Sequence, residues 1–264
     1  MQLWAITTNK NESDILEYTI RQLFHEGVDG MICADNLSMD NSRKLLARLS
    51  HEFNLHPVID SEVRFLQSQK TTKLANDAHA LGADWIIPFD ADELFYSTNR
   101  QSIKEQLERA PHNVYSIPMK NYFATKQDDP QEKNPFVRET WRKRELNHLN
   151  KMIFRWRPNL VVAPGNHLVS YDGITQYGWE THNIEIGHFQ NRSPEHFIRK
   201  IRAEAIAYKD AGLPEGVGYW HRFGHLSDDE ITAWWYRDYY FTDPLGRGLT
   251  KSPAPYLQGM KVMA

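Results

Sequence analysis

Residues 86–95, IIPFDADELF, put three carboxylates, Asp90, Asp92 and Glu93, directly after an apolar run. Like charges this close repel one another and resist leaving water, so something must compensate them. In extended backbone, residues i and i+2 project to one side, which would let Asp90 and Asp92 converge on one hard cation. Mg²⁺ or Mn²⁺ takes only one or two protein carboxylates in such sites and fills its other positions with phosphate oxygens and water. The plainer reading is that Asp92 and Glu93 cap a following helix and face water, and the D-x-D string alone does not separate the two.

The elements that must position these groups can be read from the apolar pattern. LWAITTN (3–9) reads as a buried strand, and Leu16, Ile20, Leu23 and Phe24 fall on one face of a helix that Ser13 or Asp14 caps and Gly27 closes. GMICAD (30–35) is a second strand, Leu45, Leu46, Leu49 and Phe53 mark a second helix, and HPVID (56–60) is a third strand. KTTKLANDAHALG (70–82) is a third helix and DWIIPFD (84–90) a fourth strand. This alternation predicts an α/β fold with a mostly parallel, Rossmann-like sheet flanked by helices and joined by right-handed crossovers. Ligands of such sheets bind beyond the carboxyl ends of the strands. That edge collects Thr8, Asn11 and Glu12 after the first strand, Asp35 and Asn36 after the second, and the acidic trio after the fourth.

Beyond a further strand in NVYSIPMKNYF (113–123), residues 124–150 are polar and rich in helix breakers at their start, which predicts a long functional or mobile loop region. KMIFRWRP, HLVSYDG, ITQYGW and NIEIGHF read as short strands. Residues 193–212 predict a helix with Ser193 as cap, Pro194 at its first position, Phe197, Ile201, Ala205 and Tyr208 as its apolar stripe, and Gly212 at its end. The tail is aromatic in WWYRDYYF, then rich in Pro and Gly, and is expected to pack as a cover or wrap the surface.

The chain has 264 residues, 31 Lys and Arg against 34 Asp and Glu, and a formal net charge of −3. No global basic field exists to support sequence-independent nucleic-acid binding. Cys33 is the single cysteine, so no internal disulfide forms, which fits a reducing compartment. No apolar run reaches the roughly 18–20 residues needed to span a bilayer. The expected location is cytoplasmic, with peripheral contact at the inner face of the membrane left open by the aromatic and basic residues of the second half.

Taken together, TTNKNE before a helix, ADNLSMDNS after the second strand, KLANDA in the third helix and DWIIPFDADELF after the fourth strand resemble glycosyltransferase family 2. The resemblance covers roughly the first half, and IGHFQNRSPEHFIRK is similar to a later stretch of some members. It implies a GT-A-like fold, with residues 1–123 binding the nucleotide sugar and 124–264 forming an acceptor-side half with C-terminal helices and tail. It also implies an inverting enzyme that uses Mn²⁺ or Mg²⁺ and a nucleotide-sugar donor, with a UDP-sugar favoured, and a glycan or glycolipid acceptor. By position, Thr8 and Glu12 would line the nucleoside pocket, Asp35 would accept a hydrogen bond from the base, and Asp40 would hold its loop. Lys73 and Asn76 would face the donor from the third helix. Asp90 would contact the ribose or the metal with its water, and Asp92 would bind the metal directly.

Such enzymes also supply a histidine from the C-terminal half as a metal or phosphate ligand, for which His188 and then His167 are the candidates among twelve histidines. His148, His182, His221 and His225 read as ordinary packing or surface residues. Arg192 and Lys200 could neutralise the leaving diphosphate, although exposed helix charges are commoner. The catalytic base would be an acidic residue at the start of the acceptor region; Asp128, Asp129 and Glu132 stand there, with Glu180 farther off, and Asp129 is the favoured choice. The Glu-Asp pair familiar in that zone of the family is missing.

Two other classes compete. A haloacid-dehalogenase-like phosphatase also uses D-x-D at a strand end, and LSDDEI mimics its acidic metal pair, but there the motif closes the first strand and a small or hydroxylated residue stands where this chain has Glu93. A non-catalytic nucleotide- or glycan-binding module would keep the pocket without the base. Sugar-phosphate nucleotidyltransferases open with a glycine-rich loop, and TTNKNESD contains no glycine.

Overall fold

A computed structural model describes residues 1–181, 183–213 and 223–257. The first part alternates as its apolar pattern dictates: β1 (Leu3–Asn9), α1 (Leu16–His25), β2 (Gly30–Asp35), α2 (Ser42–Leu49), β3 (Leu55–Ile59), α3 (Gln67–Ala80) and β4 (Trp85–Pro88). Then come β5 (Glu93–Ser97), α4 (Ile103–Glu108), β6 (Val114–Ile117), β7 (Met119–Thr125), α5 (Pro135–Arg138) and β8 (Trp141–Lys143). The chain continues through β9 (Lys151–Arg155), β10 (Leu160–Val162), β11 (Val169–Tyr171), β12 (Ile174–Gln176), β13 (Trp179–Glu180) and β14 (Ile184–His188). Two longer helices, α6 (Pro194–Asp210) and α7 (Asp228–Asp238), precede β15 (Tyr240–Phe241) and β16 (Leu249–Lys251).

The main sheet runs β13-β6-β9-β4-β1-β2-β3. β3, β2, β1 and β4 are mutually parallel, and β9 alone runs against its neighbours β4 and β6. The sheet is therefore mostly parallel and flanked by helices, as its strand–helix alternation predicts. Side chains alternate strictly across it. Leu3, Ala5, Met31, Cys33, Trp85 and Ile87 join the core on one side, with Leu16, Ile20 and Leu23 of α1. Trp4, Ile6, Ile32, Ala34 and Ile86 meet Leu74, Ala75 and Ala78 of α3 on the other. Gly30 is required where β2 passes Trp4, because a Cβ there would sit 2.5 Å from the indole.

A second sheet, β16-β8-β7-β14-β5 with β15 on β7, stands beside the carboxyl edge of the first and supplies a wall of the site. β10-β11-β12 form a small antiparallel meander. The aromatic tail does cover the molecule, but as a helix: Ile231, Trp234 and Trp235 of α7 pack on Phe197 and Ile201 of α6. No helix among the described residues is long and apolar enough to cross a membrane.

Candidate active site at the carboxyl edge of the parallel strands

A cavity of about 1190 Å³ opens where β1 and β4 end. Its floor is Thr7, Thr8 and Asn9; the turn Asp90–Glu93 forms one side, and α6 lies across it with His196, Lys200 and Glu204 facing in. The floor is unusually polar for a buried strand end. The hydroxyls of Thr7 and Thr8 and both amide atoms of Asn9 are buried without a hydrogen-bond partner, the condition of groups that await a polar ligand. The rim is tied down by neighbouring loops. Asn11, in the left-handed region at φ 56°, donates its N–H to the Ser38 hydroxyl and accepts from the Met39 N–H, and the Asn36 amide donates to Asp60 and to the Glu62 carbonyl.

The acidic trio is not extended backbone. The Glu93 N–H donates to the Asp90 carbonyl at 3.0 Å, closing a turn that sends the two aspartates to different partners. Convergence of Asp90 and Asp92 from an extended D-x-D is thus replaced by division of labour. Lys151, at the start of β9, lies 2.6 Å from Asp90 and 2.8 Å from Glu93. Asp92, almost fully buried, has Lys200 at 3.3 Å and Arg192 at 3.9 Å. Burial pushes Glu93 up to about 8, with Lys151 pulling it down and Asp90 and Asp92 pushing it further up. Burial also opposes the charged form of Asp92, yet its cationic neighbours, Lys200 first, hold the carboxyl well below the usual range.

His188 completes this corner. Its Nδ1 is 3.1 Å from Asn121 Oδ1, which also accepts from the Asn147 amide at 3.2 Å. An oxygen accepting from both sides requires His188 to carry its proton on Nδ1, which leaves the Nε2 lone pair turned toward Asp92 Oδ1 at 3.9 Å. Burial drives His188 down to about 4, so the imidazole is neutral at pH 7. A buried carboxylate and a half-buried imidazole facing each other at that spacing suit a cation between them. Among the described residues no three His, Cys, Asp or Glu side chains gather to hold a metal by themselves. Asp92 and His188 are the two side chains here that could hold a divalent ion, the rest of whose shell would come from water and other oxygen ligands.

Other residues singled out from the sequence are distributed unevenly. Thr8 and Glu12 line the cavity. Glu12 is held at 2.5 Å by Arg192, which is almost fully buried, also reaches Asp14 at 2.8 Å and donates to the Phe189 carbonyl. Arg192 therefore braces the β1–α1 loop from behind instead of lining the cavity, whereas Lys200 does line it. Asp40 accepts from the Ser13 and Ser42 N–H groups and so holds its loop; these bonds outweigh burial and keep its carboxyl below the usual range. His167 lines the cavity with Nδ1 on the Asn150 carbonyl at 2.7 Å, and burial lowers its basicity.

Asp35 is buried at the end of β2 but outside the cavity, accepting from Ser38 N–H beside a separate depression of about 230 Å³ shared with Arg43. Lys73 points to solvent and pairs with Asp77, and Asn76 accepts from Trp156. Helix α3 begins three residues earlier than its apolar pattern predicts, and its cavity face is Gln67, Lys70 and Thr71, one turn before the two residues named from the sequence. Asp129 is exposed, accepting from Gln131 N–H, and lies outside the cavity. His148 lines the mouth; His182 and His221 lie outside the described residues.

Glu204 is the functional candidate that sequence reading missed. It faces the cavity from α6, and burial, reinforced by Asp92, Asp90 and Glu12 and opposed by Lys200, pushes it up to about 7. The signal was a second stripe on that helix: His196, Lys200, Glu204 and Tyr208 recur every four residues beside the apolar one.

No protein-family model matches the chain, and no curated protein does. Among solved structures, S. aureus TarS 1–349 in complex with UDP-GlcNAc is similar over 90% of this chain and 74% of that one, at 12% identity and a TM-score of 0.42. TarS 1–349 in complex with UDP is similar over 88% of this chain and 70% of that one, at 12% identity and a TM-score of 0.40. A longer S. aureus TarS structure also scores 0.40, with 42% of that chain covered. Similarity at this level leaves the chemistry of this chain to be read from its own residues.

Proposed function

We propose that this chain is a glycosyltransferase that moves a sugar from a nucleoside-diphosphate donor, with UDP as the favoured nucleotide, to a glycan or glycolipid hydroxyl with inversion. The observation that supports this most is the corner where Asp92 and His188 turn acceptor atoms toward each other beside Lys200, at the carboxyl edge of β1 and β4. That edge carries DADELF, one of the stretches on which the resemblance to glycosyltransferase family 2 rests. A cavity of about 1190 Å³ accommodates a nucleotide sugar and leaves room for an acceptor.

The unpartnered Thr7, Thr8 and Asn9 groups would receive the polar edge of the nucleoside. A divalent cation held by Asp92 and His188 would supply Lewis-acid stabilisation of the departing diphosphate. Lys200 adds a positive charge at that place and keeps Asp92 ionised. Glu204 would take the proton from the acceptor hydroxyl, since a carboxylate whose pKa lies near neutrality is suited to general-base work.

Binding of UDP and GDP, with and without Mn²⁺, measured by thermal shift tests the reading. A nucleoside diphosphate that selects the folded state raises its stability by about 2.7 kcal/mol at a hundredfold excess over Kd. UDP is expected to stabilise the protein more with Mn²⁺ than without, and Asp92→Ala is expected to remove that difference while the fold persists. No response to either nucleotide, or an unchanged response in the variant, overturns it. Release of UDP from a UDP-sugar then separates an enzyme from a binding module.

A further inference from the structure

Of the lysines and arginines that line the cavity other than Lys143, Arg199 and Arg247, all but Lys10 are matched among the described residues. Lys151 serves Asp90 and Glu93, Lys200 serves Asp92, and Lys70 and Arg64 serve Asp60 and Glu62. At the mouth the balance changes. Lys143, Arg199 and Arg247 line it, and among the described residues none of the three forms an ion pair with a carboxylate. Glu145 is the acid nearest to them in sequence that also lines the cavity. A chain whose net charge is −3 thus presents unmatched positive charge at the entrance to its site.

Two of these cations are built into place. Leu249 of β16 pairs with Lys143 of β8, which brings Arg247 and the loop before β16 alongside that lysine. Lys143 Nζ lies over the Phe123 ring at 5.7 Å, and the Arg247 guanidinium lies over Phe241 at 5.4 Å. The two rings touch edge to face, with centroids 5.3 Å apart. One aromatic pair therefore carries both side chains and limits their freedom; Arg247 Nη2 donates to the Arg237 carbonyl at 3.3 Å, which leaves the other N–H groups for a ligand. Arg199 sits on α6, one residue before Lys200, and is exposed.

We infer that the acceptor is a phosphorylated carbohydrate, its phosphate held by Lys143 and Arg247 with Arg199 on the facing helix. The donor diphosphate belongs to the Asp92–His188 corner beside Lys200, so the outer group answers to a second anion. Arg and Lys together suit a phosphate, the guanidinium by paired N–H bonds and the ammonium as a point charge. This inference rests on the reading of the site as a sugar transferase, because only then does a second substrate enter through the mouth.

Calorimetric titration of the full chain with glucose 6-phosphate and with glucose, in the presence and absence of UDP and Mn²⁺, tests it. The phosphate ester is expected to bind at least about tenfold more tightly than the neutral sugar. The double variant Lys143→Glu, Arg247→Glu is expected to lose that preference while UDP binding and the circular dichroism spectrum stay unchanged. Equal affinities, no binding of either sugar, or a preference that survives the double variant overturns the inference. So does binding of phosphatidylglycerol vesicles that the double variant abolishes while the ester preference is absent, since the rim would then serve a lipid headgroup. A chain that binds the ester but not UDP refutes the transferase reading instead, so the two failures are distinct.

Discussion

At the scale of single residues, the site works by assigning different environments to similar carboxyl groups. Asp92 stays ionised because its burial is offset by Lys200 and Arg192, whereas Glu204, one helical turn beyond Lys200, is pushed up to about 7. With Glu204 as base, transferase activity should rise with pH through about 7 and level off above it, since only the deprotonated form accepts the hydroxyl proton. Glu204→Gln should lower kcat by about 10²–10⁴-fold and leave UDP binding intact. A pH profile of kcat decides: an ascending limb that persists in the variant belongs to another group. Glu139 tests the same physics away from the cavity. It is 1% exposed, pushed up to about 7 by burial against the pull of Arg138 at 3.0 Å. Because its folded pKa lies above the ordinary glutamate value of about 4.5, it contributes stability fully below about 4.5 that is lost as pH rises to about 7. Glutamine copies the protonated form, so Glu139→Gln should gain on the wild type across that interval, by at most about 3 kcal/mol. Urea midpoints at the two ends of the range measure it.

At the scale of elements, one side chain joins two of the segments that make the site. Arg192, in the link between β14 and α6, grips Glu12 and Asp14 in the loop between β1 and α1, whose Thr8–Glu12 stretch walls the cavity. Arg192→Met should cost about 3–5 kcal/mol, because breaking a buried pair leaves Glu12 with only the His196 ring, at 3.4 Å, and leaves Asp14 without its arginine. UDP affinity should fall with it, since the loop loses its brace; a denaturation curve and a titration on the same variant check both effects. The sequence legibly marks this helix by its cap and apolar stripe, and marks the first four strands by their continuous apolar runs. Three features were hidden for physical reasons. The turn at Asp90–Glu93 contains no glycine or proline and follows an apolar run, so its backbone reads as extended until the bond from Glu93 to Asp90 is seen. The cavity face of α3 depends on where that helix starts, and it starts at Gln67 without a side-chain cap to announce it. Helix α7 is announced, by a capping box of Ser227 and Glu230, but the run of aromatic residues beyond it masks the signal.

At the scale of the whole molecule, the two halves expected from the sequence, parts of one domain overall, meet at residue 123 inside β7. β9, from the later part, enters the main sheet between β4 and β6 and brings Lys151 to the acidic turn. β14 pairs with both β5 and β7 and brings His188. The candidate site is thus assembled from both halves, a long-range pairing that no local pattern in the sequence encodes. Residues 1–123 alone would leave β4 and β6 without the strand that lies between them. Ile86, Val114 and the other apolar side chains packed against Phe154 would then face water. The fragment should show no cooperative thermal transition and no stabilisation by UDP, while the full chain unfolds in one step by circular dichroism and tryptophan fluorescence alike. A fragment that melts cooperatively would mean that the parallel strands hold without β9; the acidic turn would then keep its shape without Lys151, and the charge balance proposed for the site would have to come from within the first half.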